Sequence, residues 1–218
     1  MLGCNGKVVY RELTMRLNEL EIKLQIDSEK HFETIYDSCV KLFGPPTSHV
    51  LQLDEYYDTP DGQLKKQDLV IRIRSNGKKK TIALKSPRIK LPGGLTNRIE
   101  LEFLSAEGEE VHQQLLNQGL NPTEAAEKER WTFFHNDCEI VLDKLPFIGP
   151  FIEIEGPSEI EINKVISLLN LSSCQVVRQN YGELMLMKFR ELQLPLSNIR
   201  ATFANEMECK NPVVLNRQ

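Results

Sequence analysis

The sequence predicts an α+β fold built on an eight-stranded antiparallel β-barrel, a tunnel with helices packed outside, and three observations lead there. Eight segments alternate polar and apolar side chains with a period of two, the pattern of half-buried strands. Hairpin-type turn sequences join several of these segments. Segments with helical periodicity fall at irregular intervals, without the strand–helix–strand rhythm of a parallel sheet and without a solenoid repeat.

In chain order, the alternation starts at Asn18: Glu19, Glu21, Lys23 and Gln25 share one face, and Leu20, Ile22, Leu24 and Ile26 share the other. Asp27 or Ser28 then caps a helix to about Phe43, with Phe32, Ile35, Tyr36, Cys39, Val40 and Phe43 as its apolar stripe. Gly44-Pro45-Pro46 ends it. Strands over 50–58 and 68–75 flank a wide turn at Asp58-Thr59-Pro60-Asp61-Gly62, and Asn76-Gly77 is a tight hairpin signal leading into 79–86. Residues 87–94 read as a mobile loop before a strand over 95–104 and a helix over 107–118. A hairpin over 126–135 and 138–145 turns at Asn136-Asp137, and 148–155 is the eighth strand. Ser158 caps a helix ending near Leu169, and a last helix covers 179–192. The expected organisation is an N-terminal extension (1–17), one tunnel domain (18–193) and a loosely structured polar tail (194–218).

Composition narrows the function. The chain has 218 residues, 40% hydrophobic and 27% charged, enough for one substantial domain. A net charge of −4 argues against general affinity for nucleic acid. No apolar run approaches the roughly 20 residues that span a bilayer, and Met1-Leu2-Gly3-Cys4 lacks the segments of a secretory or lipoprotein signal. Five scattered cysteines without a Cys-x-x-Cys pair disfavour a disulfide framework or zinc knuckle, so a reducing cytoplasm is the expected location.

The polar strand faces carry the chemistry. They hold Glu19, Glu21 and Lys23; Arg72 and Arg74; Lys85; Arg98, Glu100 and Glu102; Lys128 and Arg130; Asp143; and Glu153 and Glu155. The opposite faces hold apolar residues such as Ile22, Ile73, Ile82, Trp131, Ile140 and Ile154. An ordinary wet sheet face would mix Thr, Ser, Gln and Lys, whereas this one is almost entirely ionic. The helices need an apolar sheet face to cover, so the charged face is left to line the interior of a closed barrel. Unpaired interior charges are costly, so such a lining makes sense around a polyanion and a metal. Arg and Lys suit phosphate oxygens, and paired carboxylates suit a hard ion such as Mg2+ or Mn2+.

In this ordered series the sequence resembles the CYTH family, also called triphosphate tunnel metalloenzymes. The family's Glu-x-Glu-x-Lys motif matches Glu19, Glu21 and Lys23. In order there follow Tyr57-Asp58-Thr59, Arg72-x-Arg74, Lys85 in Leu-Lys-Ser-Pro, Arg98-x-Glu100, Lys128-x-Arg130, Asp143, the run from Gly149 to Glu153-Ile-Glu155, and Tyr181 in Asn-Tyr-Gly-Glu-Leu. The resemblance spans about Glu19 to Phe189 and implies an eight-stranded tunnel holding a divalent metal and a triphosphate. Members include thiamine triphosphatases, inorganic tripolyphosphatases and class IV adenylyl cyclases. On this resemblance Glu19, Glu21, Glu153 and Glu155 are expected to bind metal, with Asp143 and Glu100 holding a second metal or orienting the attacking water. Lys23, Arg72, Arg74, Lys85, Arg98, Lys128 and Arg130 are expected to cradle the phosphates.

Class IV cyclases often carry His-Phe shortly before the first motif, where this chain has Leu13-Thr14, which shifts the expectation toward a metal-dependent triphosphatase acting on tripolyphosphate or a small organic triphosphate. A class IV adenylyl cyclase and a non-catalytic polyphosphate-binding module are the alternatives. The expected partner is the triphosphate itself, with no nucleic acid and no membrane, in a monomer or homodimer. Gly77-Lys78-Lys79-Lys80-Thr81 lacks the first glycine of a P-loop and reads as a hairpin turn with solvated lysines. His31, His49, His112 and His135 have no metal-ligand spacing, and Trp131 has the parity of the apolar face. Lys188 on the last helix reads either as a mouth residue or as a solvated lysine.

Overall fold

The computed structural model describes the backbone of residues 10–77, 79–105 and 108–210. Its strands are β1 (Tyr10–Gln25), β2 (Ser48–Asp58), β3 (Val70–Asn76), β4 (Lys79–Lys85), β5 (Ile89–Lys90), β6 (Thr96–Ser105), β7 (Asn121–His135), β8 (Cys138–Leu145), β9 (Gly149–Glu155), β10 (Gln175–Val176) and β11 (Ile199–Ala201). Its helices are α1 (Glu29–Phe43), α2 (Gln63–Lys66), α3 (Gly108–Asn117), α4 (Glu159–Leu168), α5 (Tyr181–Glu191) and α6 (Phe203–Lys210). Eight strands run in the order β1-β9-β8-β7-β2-β3-β4-β6, and β6 pairs back onto β1, so the expected antiparallel barrel is closed. Closure leaves no strand of the ring with a bare edge along its full length.

The outer face supplies the core. Ile22, Ile154 and Ile140 stand side by side on β1, β9 and β8, and all three are buried beneath α1 and α4. Those helices form where the sequence places them: Ser28 and Ser158 each accept a hydrogen bond from the backbone N–H three residues on, satisfying an otherwise orphaned donor. Trp131 packs edge-on against Phe32 and Tyr36 of α1, outside the barrel as its parity requires. A smaller cluster around Tyr57, Ile73, Ile82 and Val111 seats α3 on the far side.

Three elements differ from the sequence reading. β1 begins at Tyr10, inside the expected N-terminal extension, and a register shift between Arg16 and Glu19 restarts its alternation. That bulge hides the first half of the strand from a period-two reading. The segment 87–94 is tied down: Arg88 donates to Asp68, to Glu183 and to the carbonyl of Arg178, and β5 pairs with β6. Within the expected tail, β11 adds in parallel to β7 and α6 follows it. A three-residue strand that docks on an existing edge has no periodicity to announce it. Residues 1–9 of the expected extension and 211–218 of the tail lie outside the described residues.

Ile154 is fully enclosed in the main core. Ile154→Ala is expected to cost about 2–5 kcal/mol, from lost burial plus the cavity left behind. Urea unfolding should show a lower midpoint at unchanged slope, and a loss under about 1 kcal/mol would contradict this packing.

Candidate functional site

The inner faces of the barrel enclose a polar cavity of about 180 Å³. Seven cations line it: Lys23, Arg72, Arg74, Lys85, Arg98, Lys128 and Arg130. Seven carboxylates line it as well: Glu19, Glu21, Glu100, Glu102, Glu139, Glu153 and Glu155. Volume on this scale admits on the order of a dozen waters, or one small, highly charged ligand.

Strand register brings the charges together, because four ion pairs join residues directly opposite one another. Lys23 faces Glu153 at 3.2 Å, and Lys85 faces Glu100 at 3.0 Å. Arg130 grips Asp143 with two donors, and Arg74 grips Asp54 through Nε at 2.7 Å and Nη2 at 2.8 Å. Further contacts link these pairs into a network. Lys85 Nζ also donates to Glu19 at 2.9 Å, Arg130 to Glu153 at 2.8 Å, and Arg72 to Glu102 at 3.2 Å. Arg98 instead donates to the backbone carbonyls of Ser86 and Asp68. One row is purely acidic: Glu21, Glu155 and Glu139 are neighbours across β1, β9 and β8.

The start of α5 covers part of the cavity. Asn180 and Glu183 form a reciprocal capping box, which holds Tyr181 at the first turn. The Tyr181 hydroxyl donates to Asp143 at 2.9 Å, and its ring lies 4.2 Å from Lys23 Nζ and 5.5 Å from Lys128 Nζ. Asp143 is consequently fully enclosed, behind the wall rather than on it, with Arg130 and Tyr181 as its partners.

Burial pushes the Glu19 carboxyl up to about 8; Lys85 pulls it down, while its hydrogen bond to Glu100 raises it again. Burial acts the same way on Glu100, but Lys85, the hydrogen bond from Glu19 and Arg72 hold it down at about 2. The two neighbouring acids are thus driven apart, Glu19 toward its protonated form and Glu100 toward its ionised form. Burial, reinforced by Arg130 and Arg74, lowers Lys128 to about 7.

Every expected phosphate-binding cation reaches the cavity wall, as do Glu19, Glu21, Glu100, Glu153 and Glu155. Sequence reasoning missed Asp54, Tyr56 and Glu139. Glu139 shares the parity of Asp143, and Asp54 and Tyr56 share the inner face of β2; the outward Glu55 and adjacent Tyr57 obscured that alternation. Lys188 is off the wall and pairs with Glu191. His31, His49 and His112 are engaged elsewhere, with Asp27, Glu129 and Tyr57.

Among the described residues, no three acids, histidines or cysteines are gathered closely enough to hold a metal alone. The donor set nevertheless fits a small hard cation, which typically takes one or two carboxylates and completes its shell with water and phosphate oxygens. Two buried atoms support that fit. Glu100 Oε1 and Arg72 Nε have no hydrogen-bond partner, an acceptor and a donor that a bound ion and an oxyanion would satisfy.

A family model described as the CYTH domain matches residues 17–166. Over 175 residues the chain is 25% identical to a Methanocaldococcus jannaschii protein provisionally named an adenylate cyclase, covering 76% of this chain and 97% of that one. A solved Pyrococcus horikoshii structure is similar with a TM-score of 0.64 at 23% identity, over 78% of this chain and 99% of that one. A Hippeastrum protein provisionally named an adenylyl cyclase, and described as having a dominant triphosphatase activity, is similar with a TM-score of 0.62 at 16% identity, over 79% and 95% of the two chains. No helix among the described residues is long and apolar enough to cross a membrane.

The raised Glu19 carboxyl has a measurable consequence. Folded Glu19 keeps its proton to about pH 8, whereas a glutamate in the unfolded chain loses it near 4.5, so the folded state binds more protons in between. Stability of the metal-free protein should therefore fall as pH rises through that window. Between pH 5 and 7, before Lys128 titrates in the opposite sense, Glu19→Gln should lose less stability than the unaltered chain. Urea midpoints in EDTA at the two pH values check this, and equal losses in both proteins would contradict it.

Proposed function

The chain belongs to the CYTH domain family, and from that premise we propose that it is a divalent-metal-dependent triphosphatase that removes the terminal phosphate of inorganic tripolyphosphate or a small organic triphosphate. The observation that carries this reading is the mixed lining of the cavity, seven cationic side chains interleaved with seven carboxyl groups. A polyanion entering alone would leave that many carboxylates without partners, which is costly in an enclosed site. A divalent ion that enters with the polyanion gives those carboxylates a new partner while the cations turn to the phosphates.

In this proposal Glu19, Glu21, Glu153 and Glu155 hold the ion, as Mg2+ or Mn2+. When bound, it supplies Lewis-acid polarisation of phosphoryl oxygens and offsets charge on the leaving group. Lys23 and Lys85, released from Glu153 and Glu19, turn to phosphate oxygens, and Arg72, Arg74 and Arg130 present forked donors to the rest. Lys128 and Arg98 complete the cradle. Fixed cations of this kind stabilise charge as it shifts toward the leaving phosphate without reorganising. Glu100, held ionised by Lys85 and Arg72, orients the attacking water by accepting a hydrogen bond from it, and the proton of that water leaves with the phosphate product. Asp143 acts through Arg130 and Tyr181, both of which it holds.

The relatives with activity names carry both adenylate cyclase and triphosphatase, so family membership does not choose between them. Two features support hydrolysis. Leu13-Thr14 replaces the His-Phe frequent in class IV cyclases. The aromatic residues on the wall are Tyr56 and Tyr181, and the Tyr181 ring is already engaged by Lys23.

Phosphate, pyrophosphate and cyclic AMP should be followed with tripolyphosphate, thiamine triphosphate and ATP, each with Mg2+ and with Mn2+. Orthophosphate release is the expected outcome. Cyclic AMP with pyrophosphate would instead establish the cyclase, and binding without turnover a polyphosphate-binding module. Glu19→Ala should abolish metal-dependent turnover in a folded protein, and Lys85→Ala should lower kcat by about 10²–10³. Full activity in Glu19→Ala would overturn the metal assignment.

A further inference from the structure

Asp54 has no part in the chemistry above, yet three of the cradle cations depend on it. It is 3% exposed and does not line the cavity, whereas Arg72, Arg74 and Lys128 all do. Its Oδ1 accepts from Arg74 Nε at 2.7 Å. Its Oδ2 accepts from Arg74 Nη2 at 2.8 Å and lies 3.6 Å from Lys128 Nζ and 3.8 Å from Arg72 Nη1. The strand register makes this reach possible. Asp54 faces Arg74 on β3 and Ala126 on β7, and the small alanine leaves the carboxylate open to Lys128 two residues further along β7.

Two kinds of ion pair are therefore present. Glu19 and Glu153 meet Lys85 and Lys23 on the wall itself, where an arriving anion competes for the same ammonium groups. Asp54 meets its cations from behind the wall, where an anion in the cavity does not displace it. The forked contact uses two of the donor atoms of Arg74 and fixes the guanidinium plane, so the remaining hydrogens point in a set direction. An arginine without such an anchor would have to lose its rotamer freedom on each binding event.

We infer that Asp54 is a positioning residue, a permanent counterion that fixes Arg74, and with it Arg72 and Lys128, in the arrangement that receives the phosphates. This rests on the reading of the cavity as a triphosphate site. It predicts an effect opposite in sign to simple electrostatics. Removing a negative charge beside an anion site should tighten anion binding, whereas loss of the fork should weaken it.

Calorimetric titration with Mg2+ and imidotriphosphate, a tripolyphosphate analogue whose bridging NH groups resist hydrolysis, reads this directly on the full chain. Asp54→Asn should weaken binding by about tenfold or more, the scale of a charge-assisted hydrogen bond. In an Arg74→Ala background the same change should weaken it less than about threefold further, because its effect passes through Arg74. Tighter or unchanged binding in Asp54→Asn, or full additivity in the double variant, would overturn the inference. Asp54→Glu, which keeps the charge that the network needs to fold, gives a second reading. Weakening of about threefold or more supports control by geometry, and unchanged affinity overturns it. If the unaltered chain binds the analogue with Mg2+ but releases no phosphate from tripolyphosphate, the hydrolase reading falls while the affinity comparison still decides the role of Asp54. If it does not bind the analogue with Mg2+ at all, both fall.

Discussion

Opposite charges meet across neighbouring strands of this barrel, and the closed interior depends on that meeting. Lys23 with Glu153, Lys85 with Glu100, Arg130 with Asp143 and Arg74 with Asp54 are each direct cross-strand partners. A one-residue slip in any of these ladders would turn a row of charges into the helix-covered core and a row of isoleucines into the cavity. Register is therefore specified twice, by the apolar outer face and by the ionic inner one. Lys128 shows how far this goes: it is 2% exposed, and Asp54 and Asp143 stand on either side of it.

Such an interior is poor at stabilising a protein and good at receiving a ligand. Desolvating two charges costs about what their attraction returns, so a buried ion pair adds little net stability. The stability resides in the apolar clusters beneath α1, α3 and α4. What the ion pairs provide is a cavity whose cations are held in place in advance, several of them with partners on the wall that a charged ligand can exchange. Glu19 and Glu100 belong to the same arrangement, two close acids that meet around the single Lys85 ammonium, with Glu19 pushed toward its protonated form and Glu100 toward its ionised form.

The elements that complete the site come from outside the ring. Arg88 joins the turn at Asp68, the backbone at Arg178 and the cap residue Glu183, and so ties the 87–94 segment to the start of α5. That helix places Tyr181 against Lys23 and Asp143. A chain of side-chain contacts thus connects an exposed segment to the cavity, over a sequence separation of nearly a hundred residues.

Periodicity alone reveals the eight strands, most of their inward faces and most of the charged residues on the cavity wall, though not the inner face of β2 with Asp54 and Tyr56, nor Glu139. Charge alternating with Ile and Leu has only one arrangement that buries the apolar set, and Glu19, Arg72 and Glu153 could be assigned to the interior from parity alone. The tertiary structure decided which charge meets which. Pairing depends on the register between strands distant in sequence, as between Asp54 and Arg74 or Lys23 and Glu153, and no local pattern encodes that offset. It also decided that Asp143 sits behind the wall, because Tyr181 comes from a helix whose placement is fixed by packing. The strand from Tyr10 and the β11 addition were hidden for a related reason: a bulge breaks the periodicity of one, and the other is too short to have any.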